Sequence, residues 1–573
     1  MPTWSGVFLC TLAALIVRAA GPPHHKDLLS IARTRNGRQA ILILGLPVML
    51  LVEAAKLLLG LLPDRITVTT SGIDASIFAD EKEFQRILTR LGNAGARTTG
   101  SKAHNSFISW IEEEFEGIGG LSIRSDEYDI LRWQTMGGAS LKEAGRLTLS
   151  TGGRERIIGI AGVVPFSMPT PGRSGELIYL ASGVQITEAA VKGKVILRDF
   201  PAHPIPYSMI FLPSYSKTGD LNRDLVGSYD RPGLADMPLK DELIAAGVAG
   251  AAGMIIMFDV ESRFVDSYFE PHQGVHYRLP AMFVGADEAS LLKAAAACSA
   301  IATLSVDGEV AMVPTRNVFA TLPGQTSEKI IFQSHTDGNT FVQENGVAAI
   351  LTLAQHYAKQ PLSSRRRTIE FALTTGHLHI SREGTVRHAE ELNLNYEKDN
   401  NLVLLVPVEH LGTREIEAVP RSNGLPGREL RFSGRSEMMF WCVGPAPAVV
   451  KAVQQAVQRR NLDRVLITRG TSMPNFNQVP TYSSFGGIGT YYHNLLLPTT
   501  SLISGPWSLW APWFGSEAID LTRLREQTLA VGDIYMALEN VDREAIAGGY
   551  LKYRRRRANG AKVPASLVPS EVI

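Results

Sequence analysis

Histidine and carboxylate side chains recur at three separated points of the chain, each close behind a run of apolar residues. The three clusters are His335 with Asp337 and, at the start of the next helical pattern, Glu344; His377; and Glu409 with His410. Imidazole nitrogens and carboxylate oxygens are the ligands that zinc and similar divalent ions take in proteins. The two-residue spacing of His335 and Asp337 also allows the carboxylate to orient the imidazole. These residue types predict a metal site if the fold brings the clusters together.

The segments that precede the clusters have the pattern of buried strands. Apolar runs at 329–333, 368–373 and 402–408 alternate with helical patterns at 346–360 and 384–392. Continuous apolar strands between amphipathic helices predict an α/β fold with a mostly parallel central sheet and helices on both faces. Ligands of such sheets bind beyond the carboxyl ends of the strands. The pattern therefore places the three clusters on one rim of the sheet.

A change of pattern between residues 155 and 312 indicates a second unit. Short β-rich runs broken by Gly and Pro, such as 175–180 and 191–197, replace the longer alternating elements. We therefore expect a β-rich module at 155–312, inserted between two parts of the α/β domain at 77–150 and 315–545.

The composition is that of a folded chain without a dominant charge. A length of 573 residues is enough for several domains. Hydrophobic residues make up 45% and charged residues 20%, with a mean hydropathy of +0.02, which excludes a disordered or polytopic membrane chain. The 57 basic and 56 acidic residues leave a net charge of +1, so we predict no nucleic-acid partner. Three cysteines are too few for a disulfide scaffold.

The two ends of the chain have their own patterns. An apolar run at 40–52 follows several basic residues but is shorter than the roughly 20 residues that span a bilayer. We predict that residues 1–65 form a signal peptide or a membrane anchor, which makes the protein secreted or attached to a membrane. A buried helix of the fold is the alternative. Residues 546–573 are rich in Lys and Arg and are predicted to form a basic tail.

The order of several motifs resembles that of the di-zinc aminopeptidase family. The motifs are Asn317 to Gly324, His335-x-Asp337, Gly346-Val347-Ala348, the Phe- and Leu-rich strand before His377, and Glu409-x-Leu411-Gly412. The family includes leucine aminopeptidases, glutamate carboxypeptidases and glutaminyl cyclases, and the resemblance covers most of residues 77–545. The insert resembles the protease-associated domain found in several of these enzymes.

The resemblance implies a set of metal ligands, with departures from the family pattern. His335 matches the first ligand, and Glu344 is the nearest substitute for the bridging Asp. A ligand Glu of the family falls on His377, and Glu409 replaces an Asp. The final His has no clear counterpart, since only His493 lies nearby. The implied ligands are thus His335, Glu344, His377 and Glu409, holding zinc or another divalent metal, one ion rather than two.

The general base of the family is missing from its expected position. That position is Gly376, so another proton acceptor is needed within hydrogen-bond reach of the attacking water. Glu344 or His410 would supply it, while Asp337 would support the first His. We therefore assign the catalytic roles to Asp337, Glu344 and His410.

The resulting functional hypothesis is a metal-dependent hydrolase that cleaves a peptide or other amide bond by metal-activated water. An aromatic-rich stretch at 491–513 would line the substrate pocket, with ordinary core packing as the alternative. Three other functions stay open. One is an acyl transfer like that of glutaminyl cyclases, and another is a non-catalytic binding role on a pseudo-peptidase scaffold. The third is a different metal-dependent reaction on the same scaffold.

Overall fold

The structure is a computed structural model that describes residues 68–563, except for 223, 400, 472–478 and 481–483. The predicted signal or anchor segment therefore lies outside the described residues. Within the described part, none of the helices has the length and apolar character needed to cross a membrane.

The strands and helices follow one another along the whole described chain. The strands are β1 Ser122–Thr135, β2 Gly145–Thr151, β3 Arg154–Ile158, β4 Gly162–Val163, β5 Thr170–Leu180, β6 Val195–Asp199, β7 Ile205–Pro206, β8 Ser214–Lys217, β9 Ser228–Tyr229, β10 Gly253–Met257, β11 Ala281–Val284, β12 Ile301–Val306, β13 Gly308–Leu322, β14 Thr326–His335, β15 Arg367–Thr374, β16 Leu402–Pro407, β17 Arg414–Pro420, β18 Arg428–Ser436, β19 Met439–Val443, β20 Val465–Thr468 and β21 Thr500–Ile503. The helices are α1 Glu81–Asn93, α2 Lys102–Ile118, α3 Glu188–Val191, α4 Tyr207–Phe211, α5 Asp236–Val248, α6 Ala286–Ala297, α7 Gly346–Ala358, α8 Thr385–Asp399, α9 Pro447–Arg459, α10 Gly489–Asn494, α11 Leu521–Leu538 and α12 Arg543–Ala558.

The main sheet has parallel strands at its centre and antiparallel strands toward its edges. Its strand order is β1-β13-β15-β14-β16, and β14 pairs in parallel with both β15 and β16. Parallel bridges from Leu405 to Thr499 and from Val408 to Leu502 continue this sheet into β21-β19-β20-β8. The α/β class is confirmed, and the sheet is mixed because antiparallel pairs such as β1 with β13 flank the parallel centre.

Successive residues of the central strands face opposite layers of helices. In β14, Ile330 and Phe332 belong to the apolar core that includes α1, α2, α7 and α11. Ile331 between them belongs to a second core, on the other face of the sheet, with residues of α8 and α10. This alternation explains why the strand reads as one continuous apolar run, since both of its faces are buried.

A second sheet takes its strands from residues 145–306. Its order is β3-β2-β12-β5-β6-β10-β11-β4, and α5 and α6 pack against it. The predicted division into domains is not decided by this observation alone and stays a prediction. One strand of the predicted insert, β8, does not belong to this second sheet. It pairs with β20 and so extends the main sheet. This pairing covers backbone groups that the edge of β20 would otherwise leave open.

The start of the predicted basic tail is helical. Residues 546–558 belong to α12, where Arg554 is buried and pairs with Glu397 at 2.5 Å. The guanidinium of Arg554 also donates to Asn393 Oδ1 at 2.9 Å. Part of the basic run is therefore a packed surface of the fold.

Candidate metal centre

The carboxyl ends of β14, β15 and β16 bring four buried ionisable side chains to one point. His335 ends β14, His377 lies three residues beyond β15, and Glu409 and His410 follow β16. One ligand atom from each of these residues lies within 4.8 Å of the others. We call His335, His377, Glu409 and His410 the four-residue cluster. It contains three of the four predicted ligands together with His410, which we had predicted as a catalytic group.

The distances within the four-residue cluster fit a shared cation. Nε2 of His335 lies 3.6 Å from Oε2 of Glu409, and Nε2 of His410 lies 3.9 Å from the same oxygen. The rings of His335 and His377 have centroids 4.1 Å apart. Nε2 of all three histidines and Oε2 of Glu409 are buried, and none of them has a hydrogen-bond partner among the described residues. A buried polar atom without a partner costs about 1 to 3 kcal/mol, so four converging ones fit a site that an ion of the zinc type completes.

Backbone carbonyls fix the orientation of two of the imidazoles. Nδ1 of His335 lies 2.9 Å from the carbonyl oxygen of Asp337, and Nδ1 of His410 lies 2.6 Å from that of Ser504. A carbonyl oxygen can only accept, so each Nδ1 carries the hydrogen and each Nε2 presents a lone pair. This is the tautomer that binds a metal through Nε2.

A glycine-containing loop holds the carboxylate of Glu409. Oε1 of Glu409 accepts a hydrogen bond of 2.9 Å from the backbone N–H of Ile488. At Gly487, a Cβ would collide with Oε1 of Glu409, and φ is +46°. Only glycine therefore lets the loop approach the carboxylate of Glu409 this closely. The sequence analysis did not connect this loop with the site, because its glycines do not match a phosphate-binding pattern.

The protein environment favours the neutral imidazole at His377 and His410 but not at His335. Burial, with a contribution from His335, lowers the pKa of His410 to about 3, and burial also lowers the pKa of His377 well below its usual value. Burial alone would lower the pKa of His335, but the carboxylates of Asp337 and Glu409 outweigh it and raise that pKa. Burial raises the pKa of Glu409 to about 7. These shifts are the expected result of removing charges from water without a compensating cation.

Glu344 lies outside the four-residue cluster, which differs from our prediction. Its Oε1 forms an ion pair with Nε of Arg97, and both side chains are almost fully buried. Arg97 also donates to the carbonyl oxygens of Leu91 and Thr340, at 2.9 and 2.8 Å. Arg97 pairs with one oxygen of this carboxylate, because an unpaired buried guanidinium would be costly, while Oε2 of Glu344 has no hydrogen-bond partner among the described residues. No local pattern indicates this pairing, since Arg97 and Glu344 are far apart along the chain.

Asp337 supports the site mainly through its backbone. Its carbonyl oxygen, and not its carboxylate, accepts from His335, whose Nδ1 is 3.8 Å from Oδ1 of Asp337. Oδ2 accepts from Thr99 Oγ1 at 2.5 Å and from the N–H of Leu378 at 2.8 Å. Burial opposes ionisation, but the interaction with His335 outweighs it and holds the pKa of Asp337 well below its usual range. The carboxylate of Asp337, just after β14, thus connects Thr99, which precedes α2, with the loop that contains His377.

Two further positions from the sequence analysis have clear structural roles. Gly376 has φ +84°, a left-handed conformation that L side chains rarely adopt. His493 is buried, with its ring stacked on Phe485 at 3.9 Å and its Nδ1 2.9 Å from the hydroxyl of Tyr550. It does not belong to the four-residue cluster.

A cavity of about 440 Å³ opens beside the four-residue cluster, and His377 and His410 form part of its wall. The aromatic stretch contributes Tyr491 and Trp510 to the lining, whereas Trp513 is 49% exposed and lies elsewhere. The prediction that this stretch lines a pocket thus agrees with the structure for two of its rings.

The predicted insert also contributes to the cavity wall, through Asp236, His272 and Gln273. The ring of His272 lies beside those of His377 and Trp510, with centroid distances of 5.2 and 4.3 Å. Sequence reasoning missed these residues. Their segment has no metal-ligand spacing, and only the folded arrangement brings it over the ends of the main-sheet strands.

Comparison with solved structures identifies the fold. The chain superposes on a zinc aminopeptidase from Bacillus subtilis with a TM-score of 0.54 and 16% sequence identity, covering 82% of this chain and 98% of that one. This chain has the zinc aminopeptidase fold. A peptidase precursor from Shewanella amazonensis gives a TM-score of 0.53 at 16% identity, covering 80% and 93% of the two chains. An aminopeptidase from an Aneurinibacillus strain gives 0.50 at 16% identity, covering 80% and 94%.

Neither the family models nor the curated protein sequences contain a match to this chain. The expected resemblance is therefore confirmed at the level of the fold, and none of the structural relatives described above is named for a protease-associated domain. At 16% identity, the chemistry must be argued from the site itself.

Proposed function

We propose that this protein is a metal-dependent hydrolase that cleaves a peptide or other amide bond. The observation that carries the proposal is the convergence of four buried ligand atoms at the wall of a cavity, in a zinc aminopeptidase fold. None of these atoms has a hydrogen-bond partner in the part of the chain that the structure describes. Three imidazoles and one carboxylate suit zinc or a similar divalent ion, and we propose that one ion rather than two is bound. When bound, such an ion would polarise a substrate carbonyl and lower the pKa of water.

The residues of the chain prepare the site for this chemistry. The carbonyls of Asp337 and Ser504 hold two imidazoles in the tautomer that presents Nε2. The N–H of Ile488 holds one oxygen of Glu409 and leaves the other directed at the histidines. Burial of all four side chains excludes bulk water and strengthens every electrostatic interaction with a substrate.

The position of the missing base has a consequence for the rate. Gly376 offers no carboxylate, and Glu344 is engaged by Arg97. His410, the other acceptor that we predicted, points Nε2 at Glu409 within the four-residue cluster. General acid-base catalysis typically contributes about 10²- to 10⁴-fold, so we expect amide hydrolysis slower than that of an enzyme with a dedicated base by up to this factor.

The test is an activity screen on protein of known metal content. Zinc-loaded and chelator-treated protein would be assayed against a panel of aminoacyl anilides, with His377→Ala as the inactive variant. His276→Ala is the matched control, because His276 is a partly buried histidine outside the four-residue cluster. Zinc-dependent turnover that is lost in His377→Ala and kept in His276→Ala supports the proposal.

Two outcomes would favour the other functions. Cyclisation of an N-terminal glutamine without hydrolysis of any anilide would indicate acyl transfer. Absence of bound metal after purification and after zinc loading would contradict an enzyme and favour a binding role.

A further inference from the structure

The last two turns of α12 have a basic outer face. Lys552, Arg555 and Arg556 are all exposed, and they are spaced three and four residues apart. Side chains at this spacing are neighbours on one face of a helix, with Cβ atoms about 5 to 6 Å apart. We call these three residues the basic stripe. The opposite face of the helix is buried in the fold, through Ile546, Ala547, Tyr550 and Arg554.

The charges of the basic stripe are not neutralised within the described part of the chain. None of its three side chains forms an ion pair with a described residue, whereas Arg554 on the buried face pairs with Glu397. Residues 545–563 contain no Asp or Glu, and the acidic residues Asp542 and Glu544 lie at the other end of the helix. This end of α12 therefore presents uncompensated positive charge to the solvent.

The form of the basic stripe indicates the kind of anion that it fits. Its side chains project from an exposed helix surface, so they suit a broad charged surface and not a small enclosed ligand. Residues 552–559 include no large aliphatic side chain that could insert into hydrocarbon. Attraction to anionic lipid headgroups needs only exposed Lys and Arg. A nucleic acid is less suited, because the net charge of the chain is only +1.

The start of the described chain lies beside the start of α12. The backbone N–H of Thr69 donates to the carbonyl oxygen of Ala537 at 3.2 Å, and α12 begins shortly afterwards, at Arg543. The segment predicted as a signal peptide or membrane anchor, residues 1–65, precedes Thr69 in the chain. A helix of 16 residues is about 24 Å long, so an anchor at this point would hold the basic stripe close to the membrane.

We propose that the basic stripe is a docking surface for an anionic lipid membrane. Each Lys or Arg near such a surface strengthens binding by about fivefold, so the three together contribute about 100-fold. This contribution is too small to hold a protein on a membrane by itself, but it orients a protein that a second segment attaches. The inference does not depend on the hydrolase function.

The test compares the binding of the full chain to neutral and to anionic vesicles. The protein would be sedimented with vesicles of phosphatidylcholine alone and of phosphatidylcholine with phosphatidylserine, and the ratio of the two partition coefficients determined. An apolar segment contributes about equally to both coefficients, so the ratio isolates the effect of charge. We expect a ratio of about 100 or more, which falls as salt is added because salt screens exposed charges.

A triple variant assigns this preference to the basic stripe. Lys552→Gln, Arg555→Gln and Arg556→Gln, combined in one protein, should lower the ratio by about 100-fold. Glutamine has nearly the helix propensity of Lys and Arg, so α12 should stay folded, and circular dichroism checks this.

The matched control removes three exposed arginines from other parts of the surface. Arg154→Gln, Arg156→Gln and Arg431→Gln, also combined, change the net charge equally and should keep the wild-type ratio. A loss of preference as large as that of the first triple variant would contradict a localised docking surface, because net charge alone would then explain the binding.

Three further results would overturn the inference. Equal partition of the wild-type protein into the two kinds of vesicle does so without any variant. A ratio that persists in the variant of the basic stripe does so too, because another basic segment would then contact the lipid. Binding to a duplex oligonucleotide as tight as to anionic vesicles, and lost in the same variant, would assign the surface to a nucleic acid instead.

Discussion

Nε2 of His335 and Oε2 of Glu409 face each other at 3.6 Å, and neither atom has a hydrogen-bond partner in the described part of the chain. They come from the ends of neighbouring parallel strands, β14 and β16, whose register pairs Gln333 with Pro407. The sheet itself therefore holds the two atoms at this separation. A cation between them would satisfy both.

Zinc binding should depend on Glu409 and not on Glu344. In Glu409→Gln, zinc affinity should fall by more than the 10- to 100-fold typical of a residue that only supports a ligand. In Glu344→Gln, affinity should stay within a few-fold of the wild type, because Glu344 lies outside the four-residue cluster. This variant should instead lose about 3 kcal/mol of stability, since it leaves the buried charge of Arg97 without its carboxylate. Competition titration with a zinc chelator and thermal unfolding measure the two effects separately.

The reverse result would restore our prediction from the sequence. If Glu344→Gln weakened zinc binding as strongly as Glu409→Gln, Glu344 would be a ligand despite its contact with Arg97. Added zinc should also raise the thermal midpoint of the wild type, since a free ligand at 100 times its Kd stabilises the native state by about 2.7 kcal/mol.

Gly487→Ala should weaken zinc binding through Glu409. The added Cβ would collide with Oε1 of Glu409 and displace the carboxylate from its position opposite the histidines. We expect a loss of about 10- to 100-fold in zinc affinity, the range for residues that orient a ligand. Gly486→Ala is the control, because Gly486 also has a positive φ, of +73°, but its Cβ would make only ordinary contacts, at 3.5 Å with Thr471 and 3.7 Å with Ile503. Equal affinities of the two variants would show that backbone strain, and not the carboxylate, is responsible.

The sequence was sufficient to predict the fold class and much of the site. Apolar runs that end shortly before His335, His377 and Glu409 placed these residues at the carboxyl ends of central strands, where the structure has them. The reason is that the apolar pattern of each strand is local in the sequence. The order of the strands follows general rules of α/β sheets.

The remaining features depend on contacts between distant parts of the chain. The ion pair of Arg97 with Glu344, the approach of Gly487 to Glu409 and the position of Asp236 in the cavity wall each join segments that no local pattern relates. A carboxylate near a metal site in sequence looks the same whether it binds the metal or an arginine. Only the folded structure distinguishes the two, because the choice depends on which partner is within reach.

Gly376→Glu should not provide the missing base. Gly376 has φ +84°, where a side chain costs roughly 1 to 2 kcal/mol, and a Cβ would lie 2.9 Å from Oγ of Ser381. We expect a lower thermal midpoint and no gain in turnover of leucine anilide. Gly424→Glu is the control for the strain alone, since Gly424 has φ +72° and nothing within 4 Å of its Cβ position. A rise in turnover in Gly376→Glu would contradict this expectation and show that the loop accommodates a carboxylate in the geometry of a base.

Replacing Asp236 with Asn should stabilise the metal-free protein at neutral and alkaline pH but not at acidic pH. The pKa of Asp236 is raised by burial from its ordinary value of 3.8 to about 7. Below about pH 4 the carboxyl is protonated in both the folded and the unfolded state, so its ionisation has no effect on stability. Between pH 4 and 7 the folded state keeps the proton that the unfolded state releases, so wild-type stability falls as pH rises, by about 1.4 kcal/mol per pH unit. Asn cannot ionise. The free energy of unfolding of Asp236→Asn should therefore exceed that of the wild type by up to about 4 kcal/mol above pH 7, and the difference should vanish toward pH 4.

The measurement is the thermal midpoint of the two proteins across this pH range, with Asp241→Asn, at an exposed position of the same helix, as the control. A difference between Asp236→Asn and the wild type that does not change with pH would mean that Asp236 is not a buried, uncompensated carboxylate.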